Sequence, residues 1–178
     1  MAVSGGSAGG HLAALAALTG NDPAYQPGFE GADTAVQACL PLYGVHDLLG
    51  ADGRSPKWPY LASHVLKVPT EQNPEAWHRA SPIHRAGRQR PPFLVAHGAL
   101  DSLVRPDESR RLVAALRQVG GPPVGYAEVP GATHGFDSMH SVRGERFAAA
   151  AAVLLDRLWA MWRAGAEVSG LAAEGRDP

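Results

Sequence analysis

The stretch Gly5-Gly6-Ser7-Ala8-Gly9 constrains this chain more than any other. It fits the pattern G-x-S-x-G, in which a serine sits on a sharp turn between a strand and a helix. A short β-like run, Ala2-Val3-Ser4, enters the turn, and an Ala/Leu-rich run from His11 to Leu18 leaves it. Glycines at Gly5 and Gly9 are expected to remove side chains that would clash in so tight a turn. The Ser7 hydroxyl then stands clear of the backbone. The amide of Ala8 points where an oxyanion would form, at the positive end of the following helix.

Downstream, strand-like and helix-like stretches alternate. The Ser7–Leu18 run is small and apolar on nearly every face, which predicts a helix buried on more than one side. Gly20-Asn21-Asp22-Pro23 stops it, with Gly20 as the expected terminating glycine. Val36 to Tyr43 reads as a second strand, with Pro41 tolerable only near its end. Residues 45–80 are the least regular, with short helices near Leu61–Leu66 and Pro74–Arg79, and read as an excursion over the edge of a pocket. Arg85 to Arg90 reads as a basic, solvated turn. Pro92 to Gly98 is a continuous apolar run, as in a parallel strand covered on both faces. Pro106 opens a helix with Asp107 and Glu108 in its first turn and Gly120-Gly121 at its end. Val124 to Val129 is a fourth strand. The last helix runs from about Gly144 to Arg163, with Phe147, Ala151, Leu154, Leu158 and Trp162 on its buried face. Strands alternating with helices imply a parallel sheet, whose ligands bind at the carboxyl ends of the strands. Ser7, Asp47, Asp101 and His134 all fall just after predicted strands and share one sheet edge.

Those residues suit nucleophilic catalysis. A serine hydroxyl needs a base within hydrogen-bond reach, and the base needs an orienting carboxylate. His134, between Gly131 and Gly135, suits the base. Asp101, three residues beyond Gly98, suits the acid, with Asp47 as its rival. The order Ser…Asp…His is that of α/β hydrolases. His11 and His97 read as packing or hydrogen-bonding histidines. The remaining histidines (46, 64, 78, 84, 140) show no ligand spacing, so no metal site is expected. Trp58, Tyr60 and Trp77 fit either an acyl-pocket lining or a satellite core.

Three segments carry a specific resemblance: Gly-Gly-Ser-Ala-Gly-Gly-His-Leu-Ala (5–13), His-Gly-Ala-Leu-Asp-Ser-Leu-Val (97–104) and Gly-Ala-Thr-His-Gly-Phe (131–136). Together they resemble the catalytic segments of α/β-hydrolase carboxylesterases and lipases, nearest to the hormone-sensitive-lipase-like and feruloyl-esterase-like group. Residues 21–29 are similar to actinobacterial members of it. The resemblance implies Ser7 as nucleophile, Asp101 as acid, His134 as base and Ala8 as one oxyanion donor. It implies the C-terminal portion of an α/β-hydrolase fold, about four parallel strands with flanking helices. The partial domain spans 1–164 and a flexible tail 165–178. The group's His-Gly-Gly oxyanion loop has no counterpart here. The chain is therefore expected to be a piece, or a mis-called start, of a longer esterase, with the nucleophile strand left as a sheet edge and ester hydrolysis by the chain alone in doubt. Prolyl-oligopeptidase-type peptidase, arylformamidase and a non-catalytic remnant stand as alternatives.

Bulk properties fit that picture. A net charge of −1 with interspersed signs offers nothing for nucleic acid or an anionic membrane. The single cysteine, Cys39, excludes an internal disulfide and reads as a buried thiol. No run is long enough for a membrane span and no signal peptide is evident, so the default compartment is the cytoplasm. The expected partner is a small-molecule ester, with no cofactor.

Overall fold

The computed structural model describes residues 1–50, 58–138 and 140–174, the side chains of Trp58 and of residues beyond 165 excepted. Four strands, β1 (Ala2–Gly6), β2 (Ala38–Leu42), β3 (Phe93–Gly98) and β4 (Val124–Val129), form one parallel sheet in the order β1-β2-β3-β4. Helix α1 (Ala8–Leu18) connects β1 to β2, and α4 (Asp107–Val119) connects β3 to β4. Between β2 and β3 lie α2 (Trp58–Tyr60), a π turn (Leu61–Val65) and α3 (Pro74–Ala80). Helix α5 (Val142–Glu174) closes the chain.

Side-chain alternation along the strands builds three layers. Cys39, Phe93 and Val95 face Ala13, Ala14 and Ala17 of α1 and Leu112, Val113 and Leu116 of α4. Ala38 and Leu40 face the other way, onto Ala151, Phe147, Leu155 and Leu158 of α5. Leu112 and Leu116 are fully buried, and each such side chain contributes about 1.5–3 kcal/mol relative to exposure. Pro41 sits inside β2 after all. Cys39 and Tyr43 donate to Pro92 O and Ala96 O at 3.0 and 2.8 Å, and Pro41 between them has no N–H, so β2 and β3 miss one rung.

Several expectations change. Leu12 is 62% exposed, so α1 buries one face only; β1 is the sheet edge and the outer side of α1 has no layer over it among the described residues. The left-handed residue after α1 is Asn21 (φ 62°) rather than Gly20. Asn21 Oδ1 accepts the Thr34 amide at 2.7 Å, a local bond that suits asparagine there. The basic turn is a solvated face only in part, at the exposed Arg88 and Gln89. Arg90 is buried, and its Nη2 donates to Leu116 O and Gly120 O at 3.1 and 3.2 Å. Arg88 Nε donates to Val119 O at 3.0 Å. Both arginines cap the negative end of α4, where carbonyls lack helical partners. On α5, Leu155 rather than Leu154 joins the core, and Trp162 is 47% exposed. The helix begins at Val142, and its backbone continues to Glu174 into the stretch read as a tail; residues 175–178 lie outside the described residues.

Of the aromatic residues between β2 and β3, Trp77 is fully buried against Leu48 and Leu61, in a satellite core. Tyr60 is exposed and stacks on His64, and the Trp58 side chain lies outside the described residues. No helix among the described residues is long and apolar enough to cross a membrane.

Candidate active site

Ser7 stands between β1 and α1 with φ 56° and ψ −119°, a conformation that costs a non-glycine residue about 1–3 kcal/mol. Hydrogen bonds hold it there from both sides. Its amide donates to Leu42 O at 3.0 Å, and its carbonyl accepts the His11 amide at 3.0 Å. The glycines around it are not equivalent. A Cβ on Gly5 would stand 2.6 Å from Gly9 O and 2.7 Å from its carbonyl carbon. A Cβ on Gly9 would meet open space. The expectation that both remove a clash therefore holds for Gly5 alone. Gly10 takes the second tight position, with its would-be Cβ 2.5 Å from Leu42 O.

The neighbouring strand ends supply the other groups. Asp101 follows β3, held by its amide to Gly98 O at 3.1 Å. Gly98 lets the loops close, since a Cβ there would lie 2.6 Å from Ala132 O. His134 lies on the loop after β4 between Gly131 and Gly135, both at positive φ. The Leu100 amide donates to Ala132 O at 2.9 Å, tying the acid's loop to the histidine's loop.

These contacts bring Ser7, His134 and Asp101 into one line. His134 Nδ1 lies 2.7 Å from Asp101 Oδ2, and Nε2 lies 2.9 Å from Ser7 Oγ. A carboxylate only accepts, so Nδ1 carries the proton and donates it to Asp101. The Nε2 lone pair is left to accept the Ser7 hydroxyl. Asp101 is buried, and its Oδ1 accepts the amides of Leu103 and Val104, both at 2.9 Å. Ala8 is the first residue of α1, so its N–H has no carbonyl one turn back and is free for a ligand oxygen.

The rival acid is elsewhere. Asp47 Oδ2 accepts from Arg111 Nη1 at 2.6 Å and Oδ1 accepts the Leu49 amide at 3.1 Å, an ion-paired loop anchor. His11 Nδ1 lies 2.7 Å from Val45 O, and burial holds its pKa below the ordinary value. His46 is fully buried with neither ring nitrogen partnered; burial first, then the charges of His11, His97 and Arg111, push it down to about 3, so it is neutral. Cys39 is buried, which pushes its thiol pKa up and leaves it unreactive. Among the described residues no cluster of three or more His, Cys, Asp or Glu could hold a metal ion.

Two contacts had no clear sequence signal. Tyr43 packs edge-on to His134, ring centroids 4.7 Å apart, and to Phe136 at 5.5 Å. Its hydroxyl donates to Asp137 Oδ1, just beyond His134. Burial, then the Asp137 carboxylate, pushes the phenol up to about 12. The other contact is that of His97 with Asp101, at 3.2 Å.

Comparison with known proteins places the chain. The BD-FAE family model matches residues 1–116. Esterase LipQ of Mycobacterium tuberculosis is 46% identical over 171 residues, covering 96% of this chain and 40% of that protein. The probable carboxylic ester hydrolase LipM of the same organism is 46% identical over 169 residues, covering 94% of this chain and 39% of that protein. The chain thus spans about two fifths of the length of these relatives. Among solved structures, propionate-bound esterase Est2 of Thermogutta terrifontis superposes with a TM-score of 0.66 at 22% identity, covering 90% of this chain and 55% of that one. That likeness shows the α/β-hydrolase fold.

Proposed function

Starting from the premise that the chain belongs to the BD-FAE family, we propose that it carries the Ser7–Asp101–His134 machinery of a carboxylic ester hydrolase. The relatives, named as esterases and a carboxylic ester hydrolase, support the reaction class. The observation that carries the residue roles is the single imidazole between Ser7 Oγ at 2.9 Å and Asp101 Oδ2 at 2.7 Å. In this reading residues 1–164 form the partial hydrolase domain.

Ser7 Oγ attacks the ester carbonyl while His134 Nε2 takes its proton. Asp101 holds the imidazole in the Nδ1–H tautomer and stabilises the imidazolium. The Ala8 amide donates to the carbonyl oxygen as it gains charge. Collapse of the tetrahedral intermediate expels the alcohol, which takes the proton back from Nε2. Water, deprotonated by the same nitrogen, then releases the acid and restores Ser7. The relay needs His134 neutral at rest, with its Nε2 lone pair free to take the Ser7 proton. Each oxyanion donor is worth about 2.7–4 kcal/mol, so turnover depends strongly on how many donors meet the carbonyl oxygen beside Ala8.

The test is hydrolysis of p-nitrophenyl acetate and butyrate by the wild type, with Ser7→Ala as the blank. Turnover above background that disappears in Ser7→Ala is expected. Turnover that persists in Ser7→Ala refutes the assignment.

A further inference from the structure

His97 is the fifth residue of β3 and is fully buried, yet both ring nitrogens are engaged. Nδ1 lies 2.7 Å from Ser109 Oγ on α4, and Ser109 is also fully buried. Nε2 lies 2.8 Å from Val104 O and 3.2 Å from Asp101 Oδ2. A carbonyl and a carboxylate only accept, so Nε2 must carry the proton. The Nδ1 lone pair then accepts the Ser109 hydroxyl. The surroundings leave one tautomer.

We propose that His97 is a positioning residue for the acid of the site: its Nε2–H, shared between Val104 O and Asp101 Oδ2, holds the carboxylate oxygen that orients His134, and the Ser109 hydroxyl braces the ring from its other nitrogen. The proposal rests on the triad reading above. It completes the account of the Asp101 carboxylate. Oδ1 receives the amides of Leu103 and Val104, and Oδ2 receives His134 Nδ1–H, with His97 Nε2 3.2 Å away.

A histidine suits this place better than a lysine or arginine. Burial, partly offset by Val104 O and Asp101, holds the His97 pKa below the ordinary value, so the ring stays neutral. A neutral donor orients the carboxylate without cancelling its charge. A fixed cation there would neutralise Asp101 and repel the imidazolium that His134 becomes. The titratable groups that interact with His97 are Asp101 and His134, together with His46 and Glu128. His46 is neutral, and Glu128 is tied to Arg110 at 2.6 Å.

The experiment reads ring nitrogens by 15N–1H NMR on the wild-type chain, His97→Leu and His97→Gln. In the wild type, His97 is expected as the neutral Nε2–H tautomer from pH 5.5 to 8.5, values chosen to bracket about the ordinary histidine range. In His97→Leu, Asp101 loses one donor and its charge pulls harder on His134. The His134 Nδ1–H resonance is then expected to move downfield, as its hydrogen bond to the carboxylate strengthens. It also broadens as the carboxylate gains freedom. The rate of Ser7 labelling by a fluorophosphonate at neutral pH falls roughly tenfold. His97→Gln, whose amide can donate again, restores part of both. A wild-type His97 protonated at Nδ1 overturns the proposal, and so does an unchanged His134 Nδ1–H resonance in a folded His97→Leu. If His97→Leu does not fold, the wild-type tautomer and the Ser7 labelling rate of His97→Gln decide: Nε2–H with a rate below that of the wild type supports the proposal, and Nδ1–H or a wild-type rate overturns it. The triad reading fails separately: wild-type Ser7 that no fluorophosphonate labels sinks that reading, while the His97 tautomer is still measured.

Discussion

Replacing either glycine of the G-x-S-x-G turn by alanine adds the same methyl group, yet the structure assigns the two changes opposite signs. In Gly5→Ala the new Cβ would stand 2.6, 2.7 and 3.0 Å from O, C and Cα of Gly9. All three atoms are backbone, at the start of the helix that Ser7 introduces. No side chain can turn aside, so β1 and α1 must separate. Overpacking of this kind costs about 1–3 kcal/mol. For a chain of this length each kcal/mol lowers Tm by about 2–4 °C. The expected loss is therefore roughly 2–12 °C. In Gly9→Ala the methyl group meets open space and the residue is already helical. Alanine there recovers up to about 0.5–1 kcal/mol of backbone entropy, a gain of roughly 1–4 °C. Differential scanning calorimetry of the wild type and the two variants is sufficient, with no need for substrate. Gly5→Ala should also slow Ser7 chemistry, since a displacement of about 1 Å at a reacting atom can cost on the order of a hundredfold. Equal Tm values for the two variants, or a lower Tm for Gly9→Ala than for Gly5→Ala, would refute the reasoning.

Two further expectations concern parts that the sequence left obscure. Arg90→Met keeps the apolar stem but leaves Leu116 O and Gly120 O without their donor; about 1–3 kcal/mol of stability should be lost in urea unfolding, and an unchanged midpoint would show that α4 needs no such cap. Tyr43→Phe removes a phenol raised to about 12 by burial and Asp137. Because the unfolded phenol ionises near its ordinary value, Tyr43 contributes a stability that is present at neutral pH and lost as pH rises from about 10 to 12. Unfolding midpoints at pH 9 and 11 should therefore fall less in Tyr43→Phe, the remaining fall coming partly from Tyr126, which burial also raises. An identical fall in both proteins would contradict the assignment.

The positions of Ser7, Asp101 and His134 were legible because chemistry and topology coincide. Each is a residue of the right type within a few residues of a strand's end, and parallel strands deliver such residues to one edge. The strands were legible as short apolar or β-prone runs, and α4 as a stretch opened by Pro106 with acids in its first turn and closed by Gly120-Gly121. What was not legible depended on pairs distant in sequence. Nothing local shows that Arg90 reaches the carbonyls ending α4, 26 and 30 residues on. Nothing local shows that Tyr43 meets Asp137 across 94 residues. Gly9 was misread because a motif names its glycines without saying which one touches backbone. The outer face of α1 was misread because an apolar Ala/Leu helix looks the same under one layer or two. Leu12 at 62% exposure is the difference.

The most direct measurement is peptide mapping of the chain after exposure to a fluorophosphonate, with wild type and His134→Ala side by side. This reagent needs an activated hydroxyl and little else of the site. A Ser7–His134–Asp101 relay predicts a single adduct on Ser7, almost absent in His134→Ala. An adduct elsewhere, or a Ser7 adduct that forms as quickly without the imidazole, would contradict it.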